Sequence, residues 1–140
     1  MKILYQASAV ATGGRDGQVS VENTPLRFEM ASPPELGGTK PEGYNPEQLF
    51  AAGYAACFGS ALQHVFKVNR LCVGLPQVHA KVGIGRNDAG GFALAVELVS
   101  VFKDLDQATA DQLVLKAHQI CPYSNATRGN IEVKVSARVE

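Results

Sequence analysis

The chain has 140 residues and balanced charge, 13 Lys and Arg against 13 Asp and Glu. That length fits a single domain, residues 1–140, able to bury a core without disulfide staples or a structural metal. The neutral balance leaves no electrostatic footprint for nucleic acid or for an anionic membrane surface, so the expected partners are small molecules or proteins.

Taken in chain order, alternation over Leu4 to Val10, Gln18 to Glu22 and Leu26 to Met30 predicts three short strands. The turns between them are Gly13-Gly14-Arg15-Asp16-Gly17 and Asn23-Thr24-Pro25. Before them, Met1 to Gln6 carries no apolar leader, and no stretch approaches the ~20 apolar residues of a membrane span, which points to the cytoplasm. Pro33-Pro34 and Gly37-Gly38 open an irregular arm that continues through Gly43. Asn45-Pro46-Glu47-Gln48 is a helix start, with Asn45 as N-cap, Pro46 in the first helical position and Gln48 placed to close a capping box.

The helix that follows runs to about Asn69. Leu49, Ala52, Ala56, Gly59 and Gln63 form one stripe, and Gly53, Cys57, Ala61 and His64 wind beside it. Apolar nearly all round and rich in small residues, it is expected at the centre, buried on most sides. Val78 to Gly85 and Phe92 to Lys103 read as an antiparallel hairpin across the turn Arg86 to Gly91. Asp106 caps a second helix through about Ile120, with Ala110, Leu113, Val114 and Ala117 as its apolar stripe. Pro122 ends it, which sets Cys121 at a helix terminus. Ile131 to Val139 is a last strand. The order is β-β-β-α-β-β-α-β and the class α+β.

Chemistry concentrates on sulfur. Cys57, Cys72 and Cys121 are odd in number and widely spaced, unlike the framework of a small secreted domain. Cys57 lies in an apolar helical run, where desolvation raises a thiol above its usual ~8.5 and makes it useful only beside positive charge. Arg15, in its glycine-rich turn, is the candidate supplier. Taken singly, Cys57 also fits an inert core thiol, Arg15 a solvated turn residue, and Glu47 a partner of the helix dipole. Cys72, between Leu71 and Val73, is assigned no role.

Three segments together carry a resemblance: Gly13 to Gly17, Asn45 to Phe58, and Cys121-Pro122-Tyr123-Ser124-Asn125-Ala126-Thr127-Arg128-Gly129-Asn130. The chain resembles the organic hydroperoxide resistance proteins, the Ohr branch of the wider OsmC-like family, over its full length. The resemblance implies two antiparallel sheets around long central helices in an intertwined homodimer. It also implies a thiol peroxidase in which Cys57 is the peroxidatic and Cys121 the resolving cysteine, with Arg15 and Glu47 as the polar pair that activates Cys57. A thiolate would attack the terminal peroxide oxygen while Arg15 stabilises thiolate and leaving alkoxide, and Glu47 would hold the guanidinium. Cys121 would then close a disulfide on the Cys57 sulfenic acid. The implied reductant is a dihydrolipoyl group, free as dihydrolipoamide or on a lipoylated protein, and no bound cofactor is required.

An apolar wall of Phe50, Tyr54, Phe58 and Phe66 would favour bulky organic hydroperoxides over hydrogen peroxide. Other readings stand beside this one: an OsmC-type peroxidase with broader substrates, or a non-catalytic binder of apolar ligands. A metal site drawn from His64, His79, His118 and the cysteines lacks the tight clustering that zinc ligands show, so no metal is expected.

Overall fold

The computed structural model describes all 140 residues, which divide into two units, Met1–Leu49 and Phe50–Glu140. In the first unit, β1 (Ala9–Thr12), β2 (Gln18–Val21) and β3 (Arg27–Glu29) form an antiparallel sheet in that order. Thr12 pairs with Gln18, so the five residues between them make the reversal, including one 3-10 turn at Gly14–Asp16. This register moves the first strand later than Leu4 to Val10. Leu4 to Ser8 belong to the expected alternation, but a strand needs a partner, and β2 supplies one only from Ala9 onward. The arm after β3 folds back through a bridge between Met30 and Tyr44, which leaves Met30 and Ala31 buried.

Helix α1 (Pro46–Val68) crosses the boundary between the units and begins as its sequence dictates. The Asn45 amide donates to Gln48 Oε1 and the Gln48 amide donates to Asn45 Oδ1, both at 2.9 Å. These two bonds satisfy amides that a helix start leaves orphaned.

The second unit holds β4 (Gln77–Arg86), β5 (Phe92–Phe102), α2 (Gln107–Ile120), α3 (Pro122–Thr127) and β6 (Glu132–Val139). The sheet order is β4-β5-β6. β4 runs antiparallel to β5, but β6 runs parallel to it, so the second sheet is mixed rather than antiparallel. The reason is topological: a helical crossover carries the chain back to the end of the sheet where β5 began before β6 starts on its other side. As the central strand, β5 is nearly continuously apolar, whereas β4 and β6 alternate.

The core joins Tyr54, Phe58, Leu62, Val65 and Phe66 of α1 to Leu98 and Phe102 of β5 and to Leu113, Val114 and Ala117 of α2. Within the chain α1 is therefore buried on one stripe, not on most sides. That stripe is spaced by the large side chains at 54, 58, 62 and 66, while Ala52, Ala56, Ser60 and Gln63 face outward. By length and composition alone α1 is long and apolar enough to cross a membrane, with a mean hydropathy of 1.2 over 18 residues, a test that core helices of folded domains also pass. Its many alanines raise that mean without a run of large aliphatics, and a third of the window is buried in the chain. Because Leu62 is fully buried among large neighbours, Leu62→Ala is expected to cost about 2 to 5 kcal/mol, the usual range for a core leucine. Urea denaturation measures it, and an unchanged midpoint at an unchanged slope would remove Leu62 from the core that matters.

Candidate active site

Two cysteines 64 positions apart meet in the second unit. Cys57 is half-buried on α1, one residue before the fully buried Phe58. Cys121 is wholly buried at the corner where α2 ends and α3 begins. Pro122 creates that corner twice over. It holds Cys121 at an extended ψ of 124°, which ends α2, and it then occupies the first position of α3, where a missing amide costs nothing. The Cys121 amide still donates to Ala117 O, and its carbonyl accepts from the Asn125 amide, each at 2.9 Å, so both helices grip the residue. Its Sγ stands 3.6 Å from Cys57 Sγ, and both are free thiols.

Burial pushes the Cys57 thiol up, the Tyr123 backbone N–H pulls it down, and the Cys121 thiol adds to the rise. Left to this unit's own groups, the sulfur favours the neutral form. Cys57 opens on a depression of about 380 Å³ lined also by Ser60, Ala61, His64, Ile120 and Pro122. None of the four rings proposed as an apolar wall lines it. Tyr54, Phe58 and Phe66 are core residues, and Phe50 is the one left partly exposed. Phe50 stacks on Tyr123 with centroids 5.8 Å apart and an interplanar angle of 24°, while Tyr54 meets both rings at an angle. Gly53 makes room for this cluster: a Cβ there would stand 3.0 Å from the Tyr123 hydroxyl.

The helices that carry the cysteines are also joined by a polar network that sequence reasoning missed. The Tyr54 hydroxyl donates to Ser124 Oγ at 3.0 Å and lies 3.1 Å from Thr127 Oγ1. Ser124 Oγ in turn lies 2.9 Å from His118 Nδ1. Burial, with Arg128 nearby, lowers the His118 pKa and keeps the ring neutral. His118 is thus engaged by serine rather than by ligand partners, and no group of three or more His, Cys, Asp or Glu is placed to hold a metal ion. The available signal was Ser124 and Thr127 at helical spacing after Cys121, polar residues on a segment too short to show periodicity.

In the first unit, Arg15 and Glu47 form a bidentate pair, Nη1 to Oε2 at 2.8 Å and Nη2 to Oε1 at 2.6 Å. The pair raises the Arg15 pKa and lowers that of Glu47. A carboxylate with a lowered folded pKa adds stability above its unfolded pKa and loses it only as pH falls through the folded value, so the pair persists across the neutral range. The turn that presents Arg15 is sterically specified. Gly13 sits at φ 78°, and a Cβ on Gly17 would fall 1.8 Å from the Thr12 carbonyl oxygen. Lys40 Nζ donates to the Asp16 carbonyl, and the Met30 amide donates to Gly17 O at 2.8 Å, tying the turn to the arm.

Residues 37–136 match the family model for OsmC-like proteins. An organic hydroperoxide resistance protein of Xanthomonas axonopodis pv. citri is 48% identical over 136 residues, covering 96% of this chain and 95% of its own. The chain belongs to the organic hydroperoxide resistance branch of the OsmC family. Solved members agree in fold: the Elizabethkingia anophelis protein, crystallised with thiocyanate bound, superposes with a TM-score of 0.95 at 51% identity, covering both chains fully. The Bacillus subtilis protein OhrB gives 0.87 at 43%, covering 97% of this chain and all of its own. In this member of the branch the four candidate residues form two pairs, Cys57 with Cys121 and Arg15 with Glu47. Cys72 is exposed after α1 and belongs to neither.

Proposed function

We propose that the chain is a thiol peroxidase that reduces organic hydroperoxides to alcohols through its two paired cysteines. The observation that carries this reading is the 3.6 Å approach of two free sulfurs from distant parts of the chain, one half-buried and one sealed. Cys57, as thiolate, attacks the terminal oxygen of R–O–OH. The O–O bond breaks, Cys57 becomes a sulfenic acid, and the alkoxide takes a proton to leave as the alcohol. The Cys121 sulfur then attacks the Cys57 sulfur, and the hydroxyl leaves as water with the formation of a disulfide. A dihydrolipoyl dithiol, free or on a lipoylated protein, reopens it by exchange. Arg15 supplies the positive charge that the burial-raised thiol needs, and Glu47 fixes its fork.

Family membership supports an intertwined homodimer, and so does the outward face of Ala52, Ala56, Ser60 and Gln63 on α1, whose small residues permit close approach. The family match spans both units, which supports reading residues 1–140 as one domain. A cytoplasmic location suits this chemistry, because thiols there stay reducible. Phe50, next to Tyr123, offers an apolar surface for the organic part of the substrate.

One equivalent of cumene hydroperoxide is expected to take the wild-type protein from three free thiols to one, with the disulfide mapping to Cys57 and Cys121 and cumyl alcohol as product. Hydrogen peroxide, with no apolar part to bury, is expected to react at least ~10-fold less efficiently. Retention of all three thiols would favour the non-catalytic apolar-ligand reading. Equal efficiency toward both oxidants would favour the broader OsmC-type peroxidase.

A further inference from the structure

We infer that the buried hydroxyl network of Tyr54, Ser124, Thr127 and His118 is a positioning device for the disulfide-closing step, holding Cys121 against Cys57. This inference rests on the two-cysteine reading. Each anchor lies about one helical turn from a reacting sulfur: Tyr54 is three residues before Cys57, Ser124 three after Cys121, and His118 three before it. The network therefore joins α1, α2 and α3 within about one helical turn of the sulfur-bearing residues.

The hydrogens can be assigned along it. Tyr54 donates to Ser124, which leaves the Ser124 proton for His118 Nδ1 in the tautomer that carries its hydrogen on Nε2, and the lowered pKa of that half-buried ring keeps it neutral and so able to accept. Thr127 Oγ1 reaches the Tyr123 carbonyl at 2.9 Å and the Ser124 carbonyl at 3.2 Å, holding the turn of α3 that carries Ser124. Arg128 donates to the His118 backbone carbonyl at 2.6 Å, so α2 and α3 are also tied from outside.

An apolar core could fill this space with phenylalanine and alanine and bury no polar atom. Three hydroxyls and an imidazole repay their desolvation only when their partners stand in one arrangement, so the network confers direction where packing alone would tolerate slippage. Direction is what closure needs. The Cys121 sulfur must travel from 3.6 Å to a bond of about 2 Å, displacing hydroxide from the sulfenic sulfur along the line of the breaking S–O bond.

The test separates the two chemical steps. Wild type, Ser124→Ala and Thr127→Val are mixed with one equivalent of cumene hydroperoxide and quenched at set times with dimedone and an alkylating agent. Intact mass then counts sulfenic acid and disulfide. Cumyl alcohol is expected to form at the wild-type rate in both variants. Disulfide is expected to form roughly tenfold to a hundredfold more slowly, with the dimedone adduct accumulating. The double variant is expected to be no slower than the worse single, because the groups act as a unit. Closure at the wild-type rate in both single variants overturns the inference, even if their urea midpoints fall, since a merely structural network would shift stability and leave the adduct scarce. Should Ser124→Ala not fold, Thr127→Val carries the same comparison. If wild type itself yields no disulfide between Cys57 and Cys121, the two-cysteine reading fails and this inference fails with it.

Discussion

Cys57→Ser is expected to abolish turnover, while Cys121→Ser reduces one equivalent of hydroperoxide at the normal rate, consumes a second as Cys57 over-oxidises, and then stalls. A serine hydroxyl is far too weak an acid to give the nucleophilic anion at neutral pH, so removal of the first sulfur removes the chemistry. Removal of the second leaves the first step intact and its product stranded. The Cys57 sulfenic acid then meets a second peroxide and climbs to the sulfinic acid, which a dithiol does not reverse. Mass spectrometry reads the two fates apart, as no change in the first variant and a gain of two oxygens on Cys57 in the second. The different exposures of the three thiols provide an internal control. Exposed Cys72 should alkylate at once in every form, while sealed Cys121 resists until the protein unfolds. Full turnover by Cys57→Ser would remove the peroxidase proposal.

How far the sequence foretold this arrangement depends on whether the cause was local. Asn45 and Gln48 at a three-residue spacing close their capping box as expected, and Asp106 caps α2 by accepting from the Thr109 amide at 2.9 Å. Both are short-range bonds between residues that can be seen together in a line of text. Pro122 was legible as a stop and not as a start. Its fixed φ serves both ends, and the six residues of α3 are too few to display a helical period. The buried stripe of α1 was not singled out, and burial on most sides was expected instead, because small residues carry little information about direction. Tyr54, Phe58, Leu62 and Phe66, spaced by four, decide which face turns to the sheet. The parallel pairing of β6 with β5 is a consequence of topology that alternation cannot reveal, since a parallel and an antiparallel edge strand alternate alike. The Arg15–Glu47 pair joins residues 32 positions apart, and the resemblance rather than any periodicity pointed to it.

Arg15→Gln is expected to lower kcat/KM for cumene hydroperoxide by ~10²- to 10³-fold, the usual effect of removing one group that stabilises charge in a transition state. The thiol of Cys57 is raised by its own surroundings, and without a cation it spends more of its time protonated at neutral pH. The midpoint of its alkylation against pH should therefore move upward in the variant. Arg15→Lys keeps the charge and loses the fork that engages both oxygens of Glu47, so it should recover part of the loss and no more. Gly17→Ala tests the same idea without touching the guanidinium. Its Cβ would meet the Thr12 carbonyl at 1.8 Å, a clash with backbone that no rotamer relieves, so the turn must move and take Arg15 with it. The expected result is a loss comparable to that of Arg15→Gln, with far-UV circular dichroism unchanged, because the turn carries little regular structure. Wild-type kcat/KM in Arg15→Gln would place the activating charge elsewhere. Wild-type kcat/KM in Gly17→Ala alone would mean that Arg15 acts without its glycine-built turn.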